Sequence, residues 1–508
     1  MTKAHLEARL LRPAAALHAA LIDPERREST LVLVLFIYSL VWTAYATISK
    51  GGQGLHPDMT ELIAWSRDPA LGYFKHPPLA AWLVGAWFTA FPVSEPAYYL
   101  LAMLMPVLTL WIVWRLMGDY LDADKRVFGL ALLTLVPFFN FHALKYNVNT
   151  VLLPLWAATT FWFLRSYRLR HAGYAALAGL GAAACMYGKY WSVVLLAGLF
   201  VAALIDRRRG AYFRSPAPWI TAGVGLIALA PHLYWLVQNH FAPFSYAVEV
   251  HGEKPFSGVL LSTLGYLAGS VAYVALPVVI VLIGARPRLA TLADMAWPAD
   301  EERRLAAVAF WAPLLLPVLG AIAARTEITS LWSMSAWTLL PVVLLSSPAI
   351  VLRPVDTPRL LAFVVIFPFA VLAAAPLVAR FTIDKAMPES AQMPLLARQV
   401  ERAWHMMTPR PLRFVGGETL SFGVAAYAAD RPRALAGLPQ PDPAVLKRDG
   451  VVFVCLADEA SCKASAKAAA ESDPAHRIVE STIFRSASGR PAPPQHYTIV
   501  LVPPAAHP

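Results

Sequence analysis

Two short stretches near the start of this 508-residue chain gather side chains able to do chemistry. His56-Pro57-Asp58-Met59-Thr60-Glu61 is followed by Gly72-Tyr73-Phe74-Lys75-His76-Pro77-Pro78. A carboxylate can take a proton from a hydroxyl, and an ammonium or guanidinium can hold a phosphate oxygen. Lys145 with Asn147 and Asn149, Lys189 with Tyr190, and Arg325 with Glu327 repeat the same mixture of cation, amide and aromatic further along. His232, Gln238, Asn239, His240, Glu249 and His251 add more polar groups of the same kind. Together they suit an anionic lipid headgroup on which a reaction is carried out.

The elements that carry these residues follow from composition. The chain is 58% hydrophobic and only 15% charged, against roughly 25% charged in soluble domains. Its apolar residues fall into runs long enough for a bilayer core about 30 Å thick. Eleven candidate spans can be marked: 29–49, 96–117, 126–142, 148–164, 172–187, 190–205, 217–237, 258–284, 304–323, 330–348 and 359–380, with thirteen as an upper bound. The expected fold is an all-α polytopic membrane protein. A soluble enzyme, a disordered chain and a fibrous repeat are excluded.

The net charge of +11 does not point to nucleic acid, because the cations stand in short runs beside apolar spans. That is the pattern by which topology is specified. With Lys3, Arg9, Arg12, Arg26 and Arg27 in the cytoplasm, the later inside loops hold Arg115, Lys125 and Arg126, then Arg165, Arg168 and Arg170. They continue with Arg207, Arg208, Arg209 and Arg214, then Arg286, Arg288, Arg303 and Arg304, then Arg353 and Arg359. Outside loops keep only Lys50, Arg67, Lys75, Lys145, Lys189, Lys254 and Arg325. The alternation requires 78–92 to be an interfacial helix rather than a span. All the polar clusters above then lie on the outer side.

Residues 1–28 read as a cytoplasmic N-terminus and 29–380 as a membrane domain with an outer catalytic loop at 50–95. Residues 381–508 read as a small outer α/β domain, with strands at 412–415, 451–456 and 497–502 and an alanine-rich helix at 458–471. As the sizeable soluble surface on that side, this domain is the expected selector of the acceptor. Cys185, Cys455 and Cys462 have no metal-ligand spacing. Cys455 and Cys462 are either a disulfide in an oxidising compartment or two small unpaired residues.

The stretch Asp58 to Ser66, followed by Gly72-Tyr73-Phe74-Lys75-His76-Pro77-Pro78-Leu79, resembles the first periplasmic loop of GT-C type bacterial glycosyltransferases. The relevant group is family 39, which includes protein O-mannosyltransferases and the lipid A aminoarabinose transferase. The resemblance extends through Gly188-Lys189-Tyr190 and Pro231-His232-Leu233-Tyr234-Trp235 with Asn239, covering roughly 30–260. It implies a polyprenyl-phosphate-linked sugar as donor, bound at the outer leaflet of a bacterial inner membrane. The acceptor it implies is lipid A, lipopolysaccharide, another glycan or a protein.

Asp58 falls on the family's catalytic aspartate, with Lys75 and Lys189 as phosphate ligands. His76, Lys145, Asn149, Tyr190 and Arg325 are the further substrate-binding candidates, and His76 is the alternative base. Trp65, Tyr73, Phe74 and Trp82 are expected to anchor the loop among headgroups, one of them also stacking on a sugar. Two departures stand out. Met59 replaces an acid that normally follows the aspartate, leaving Glu61 as a differently placed substitute, and Asn147-Val148-Asn149 stands where relatives carry a second acid. Amides do not act as bases at neutral pH, and hard cations favour carboxylates. A single base with no required metal or other cofactor is therefore expected.

Two other classes compete. A transporter or flippase of a lipid-linked sugar would place polar groups along the crossing path, and the span interiors are almost free of charge. An envelope scaffold would not need the Asp58 to Pro78 loop.

Overall fold

The computed structural model describes residues 11–252, 254–382, 390, 392–471, 474–484, 486–487, 490–491 and 494–505. Lys3 and Arg9, used in the topology reading, lie outside them. All eleven expected spans contain helix. Among the described residues six helices are long and apolar enough to cross a membrane: Arg27–Ser49, Glu95–Met117, Ala217–Gln238, Phe256–Ala285, Glu301–Ala324 and Asp356–Thr382. A seventh, Ala123–Leu133 with Pro137–Leu144, is bent by 82°, at a proline that lacks the N–H a continuing helix needs. The other four expected spans are helices that are shorter or more polar, so length and composition support fewer spans than eleven.

Several of the long helices leave large apolar side chains uncovered, among them Ile227 at 76% and Leu261 at 73% exposure. Contiguous apolar surface on that scale suits lipid, not water. The chain is a multi-pass membrane protein.

The loop after Arg27–Ser49 is folded. His56 caps Pro57–Ser66 (α1), its Nδ1 accepting from the Asp58 N–H at 3.1 Å, and Pro57 at the first position is preset for a helix. Leu79–Ala90 follows with twelve residues, about 18 Å long and short of a bilayer core.

The chain divides into two compact units. One comprises residues up to 44, 75–77 and 99–373; the other comprises 45–74, 78–98 and 374 onward. The first is the helical body, including Val148–Leu169 (α2), Ala172–Gly188 (α3), Val193–Ile205 (α4) and Ala217–Gln238 (α5). At one of its ends the loops that carry the inside arginines meet through ion pairs. Arg165 binds Asp119 at 2.9 Å, Arg168 binds Glu302 at 2.9 Å, and Arg208 binds Asp206 at 2.9 Å and also Glu302. Loops assigned to one side from charge alone are thus neighbours in space. From that end α3 rises about 26 Å over 17 residues to Lys189.

The second unit is built on Met393–His405 (α6), Glu418–Tyr427 (α7), Ala460–Glu471 (α8) and a five-stranded sheet. The strands are Phe414–Gly416 (β1), Arg433–Ala434 (β2), Val451–Leu456 (β3), Arg477–Ile483 (β4) and Gln495–Val502 (β5). Their order is β2-β1-β3-β5-β4, parallel across β2, β1 and β3 and antiparallel beyond. The α/β character, three strands and the 460–471 helix agree with expectation. α6, α7, β2 and β4 are additions. α6 buries Met393, Leu396, Ala397, Val400, Ala403 and Trp404, the helical spacing of one apolar face. Between β1 and α7, Gly417 has φ +104°, and a Cβ there would lie 2.0 Å from the Val454 carbonyl oxygen; only glycine fits. Cys455 and Cys462 form a disulfide with Cα atoms 5.6 Å apart, which settles the pairing left open by the sequence.

Candidate active site

In the second unit, Asp58 is the second residue of α1, its side chain 39% exposed. Negative charge in a first helical turn is favoured by the unpaired N–H groups there. Its carboxylate lies 3.6 Å from His56 Nδ1, the atom that also caps the helix. The middle of α1 is buried: Met59, Thr60, Glu61, Leu62, Ile63, Ala64 and Trp65 are all below a tenth exposed. Glu61, the substitute acid, is therefore an interior residue, and Asp58 is the half-exposed carboxylate of this helix.

Two of the four loop aromatics, Trp65 and Tyr73, are packed inside the fold and are not headgroup anchors. The Trp65 ring stacks on Tyr73 at 4.6 Å and meets Phe422 of α7 edge-on at 6.4 Å. Tyr73 donates to the Trp65 carbonyl at 2.8 Å, and burial pushes its phenol up to about 12. Both rings are almost fully buried. Phe74 abuts Gly437, where a Cβ would come within 2.1 Å of the ring. Trp82 Nε1 donates to the Ala70 carbonyl. The domain that covers these rings begins some 300 residues later, so the loop read as exposed belongs to a soluble core. Stacking on a sugar is excluded for Trp65 and Tyr73.

In the first unit, Lys189 ends α3 in extended conformation, between that helix and a single 3-10 turn, Tyr190–Ser192, that leads into α4. Its Nζ donates to Asn149 Oδ1 at 2.7 Å and lies 5.1 Å from the centre of the Trp332 ring. Asn147 caps α2, accepting from the N–H groups of Asn149 and Thr150 at 3.0 and 3.2 Å. Lys145, half-buried, offers its carbonyl to Thr150 Oγ1 at 2.7 Å. Tyr190 Oη and His232 Nε2 are 3.0 Å apart, and the His232 ring stacks on Trp235. Trp191 Nε1 donates to the Trp332 carbonyl.

The structure therefore brings together Lys189 and Asn149, with Tyr190 next in the chain and Lys145 just before the Asn147 cap of the helix that carries Asn149. Arg325 is exposed, ends Glu301–Ala324 in the left-handed region, and accepts through its carbonyl from Lys254 N–H at 3.1 Å. Lys75 and His76 group with the first unit and are half-buried. Among the described residues no group of three or more His, Cys, Asp or Glu is arranged to hold a metal ion.

Sequence reasoning missed Trp332 beneath Lys189, His232 as the partner of Tyr190, and the C-terminal residues around α1. His232 had a signal, a histidine on an apolar helix beside Pro231. The others are joined to their partners only by tertiary structure.

Comparison with known proteins agrees with the resemblance of the loop. Residues 75–235 match the family of dolichyl-phosphate-mannose-protein mannosyltransferases. The lipopolysaccharide core galacturonosyltransferase RgtB of Rhizobium johnstonii is 27% identical over 214 residues, 41% of this chain and 43% of that protein. The chain therefore aligns with less than half of that relative's length. The fold is that of ArnT from Cupriavidus metallidurans. The apo crystal structure superposes with a TM-score of 0.61 at 13% identity over 93% of this chain and 98% of that one. The form bound to undecaprenyl phosphate gives 0.59 at 14% identity over 92% and 97%. Lys75, Lys145, Asn149, Lys189 and Tyr190 fall within the family match; Asp58 precedes it and Arg325 follows it.

Proposed function

We propose that the chain is a membrane glycosyltransferase that moves a sugar from a polyprenyl-phosphate donor to an envelope glycolipid of the lipopolysaccharide class. The observation that carries this reading is the coincidence of the matched segment with the Lys189–Asn149 group, a cation held by an amide and an aromatic ring at a helix break. A relative named for lipopolysaccharide core and a structural neighbour crystallised with undecaprenyl phosphate support the acceptor and donor classes.

In this mechanism Asp58 takes the proton of the acceptor hydroxyl as its oxygen attacks the anomeric carbon. The bond from that carbon to the lipid phosphate oxygen breaks, and polyprenyl phosphate leaves as a stable anion. Lysine ammonium groups hold its charge, with Lys189 and Lys75 in that role. The donor is neutralised by side chains and the base is a carboxylate, so the reading asks for no metal. Orientation follows from the arginine loops: the Lys189 end and the C-terminal domain face the periplasm of the inner membrane. A disulfide in that domain suits the oxidising side.

The test is mass spectrometry of envelope glycolipids in cells lacking the native gene and carrying wild type or Asp58→Asn at equal protein level. Wild type is expected to add one sugar mass that Asp58→Asn does not, and the mass shift identifies the sugar class. Addition by both proteins would overturn the role of Asp58 and bring His76 forward. Addition by neither would favour transport of a lipid-linked sugar.

A further inference from the structure

α1 is ten residues long, and a helix that short gains little fixity from its own hydrogen bonds. Its position is set by α7 of the C-terminal domain. At the entry, the Leu55 N–H donates to Tyr427 Oη at 2.8 Å, and that hydroxyl donates its proton to Glu95 Oε1 at 2.9 Å. At the exit, the Arg67 guanidinium donates to the Ala425 carbonyl, and Arg433 Nε donates to Asp68 Oδ2 at 2.8 Å. α7 and the strand after it therefore grip both ends of the helix that carries Asp58.

The entry contact leaves no freedom of direction. A backbone N–H only donates and a carboxylate only accepts, so the Tyr427 hydroxyl must take one bond and give the other. Leu55 is 4% exposed, so no water replaces that acceptor readily. From Leu55 the chain passes through His56, which caps α1, and Pro57, whose ring locks φ, to Asp58. A shift at Leu55 is carried to the carboxylate with little slack.

We infer that Tyr427 is a positioning residue for the base, and that the C-terminal domain is thereby part of the catalytic apparatus and not an appended acceptor-binding module. The inference rests on the reading of Asp58 as the base. Tyr427 touches no substrate; it acts by fixing where the Asp58 carboxylate stands, and small misplacements of a reacting group cost turnover steeply.

The experiment uses the full chain in nanodiscs with the undecaprenyl-phosphate-linked form of the sugar that the envelope mass shift identifies. Tyr427→Phe removes one oxygen atom. It is expected to lower kcat about 10-fold or more while leaving the donor KM unchanged and lowering the unfolding temperature by no more than a few degrees, the cost of one unsatisfied buried N–H. Glu95→Gln keeps an oxygen to accept from Tyr427 and should stay within about twofold of wild type. Glu95→Ala should fall with Tyr427→Phe, and the two together should fall no further, since each breaks the same link. The Glu95 pair is a test that stands even where Tyr427→Phe accumulates poorly. Wild-type kcat in Tyr427→Phe beside an inactive Asp58→Asn overturns this inference alone, as does a loss that appears only in KM or only as unfolding. Wild-type turnover in Asp58→Asn removes the base and this inference with it.

Discussion

The Asp58 carboxylate stands on a ten-residue helix whose partners come from residues 422–433, whereas Lys189 stands at the junction of two apolar helices and is held by Asn149, forty residues away, and by Trp332. In the first region a short, largely buried helix with one half-exposed acid is set by hydrogen bonds and a ring contact from the C-terminal α/β part of its unit. In the second, apolar helix packing sets the backbone, and a few polar groups at the helix termini aim the ammonium. The cation's setting satisfies it, with an amide oxygen accepting from its ammonium and an aromatic face beneath. The proposed base, Asp58, has a different need, an approach open to an acceptor on a support that does not move. Two proposed functions of opposite charge rest on two kinds of scaffold, and each fails in its own way.

The largest effect expected is that of Asp58→Asn. General-base catalysis contributes roughly 10²–10⁴-fold, so kcat should fall by that range with donor KM nearly unchanged. Lys189→Met should do the reverse. It removes a charge-assisted hydrogen bond worth about 1.5–3 kcal/mol, so donor KM should rise about 10- to 100-fold and the loss in kcat should be smaller. Equal effects of both variants on both constants would break the comparison between the two regions. Measuring kcat and KM for each variant in nanodiscs decides it.

What the sequence made legible divides along the same line. The helical body follows from apolar runs, and its inside loops from arginines that the structure joins in ion pairs at one end. Lys189, Tyr190 and Asn149 are recognisable because helix ends and helix breaks leave local traces: a capping Asn147, and a Gly188 before the lysine. The support of Asp58 leaves none. Tyr427 and Glu95 are 332 residues apart, and nothing near either position announces the other. Trp65 and Tyr73 mislead for the same reason, since an aromatic-rich loop beside a span reads as a headgroup anchor until a distant domain is seen to cover it. α6 is a different kind of miss. Its apolar residues at 393, 396, 397, 400, 403 and 404 carry the helical period in plain view, hidden only by the proline-rich sequence on either side.

Removing the disulfide sharpens the comparison at intermediate size. Cys455 ends in β3 and Cys462 in α8, seven residues apart and buried in one apolar cluster with Ala466, Ala470 and Val500. By the chain-entropy account a bridge closing so short a loop contributes about 2–3 kcal/mol. The Cys455→Ser, Cys462→Ser double variant should lower the unfolding temperature and, through the sheet and α7, reduce kcat. Donor KM should stay at its wild-type value, because Lys189 belongs to the other unit. A rise in KM equal to the fall in kcat would show that the two regions are not separable.

The smallest effect belongs to a pair of acids at the same end of the sheet. Glu459 accepts from the Leu456 N–H at 3.4 Å, and Ser461 Oγ donates to Glu418 Oε1 at 3.5 Å. Burial, then the hydrogen bond and charge of Glu418, then Asp458 raise the Glu459 carboxyl above the usual carboxylate range. A raised value means that the folded chain holds this proton more tightly than the unfolded chain does. The stabilisation is therefore complete below the ordinary carboxylate pKa of about 4.3 and is lost as pH rises through the elevated one. Glu459 is only partly buried, and screening by solvent cuts the amount to about a few tenths of a kcal/mol. Glu459→Gln keeps a neutral hydrogen-bonding group at every pH, so the difference in Tm between pH 5 and pH 7.5 should narrow by about 1 °C. An unchanged difference would show that the Glu459 proton contributes nothing to stability. Because α7 begins at Glu418 and ends at Tyr427, the same titration should leave a small trace in kcat and none in donor KM.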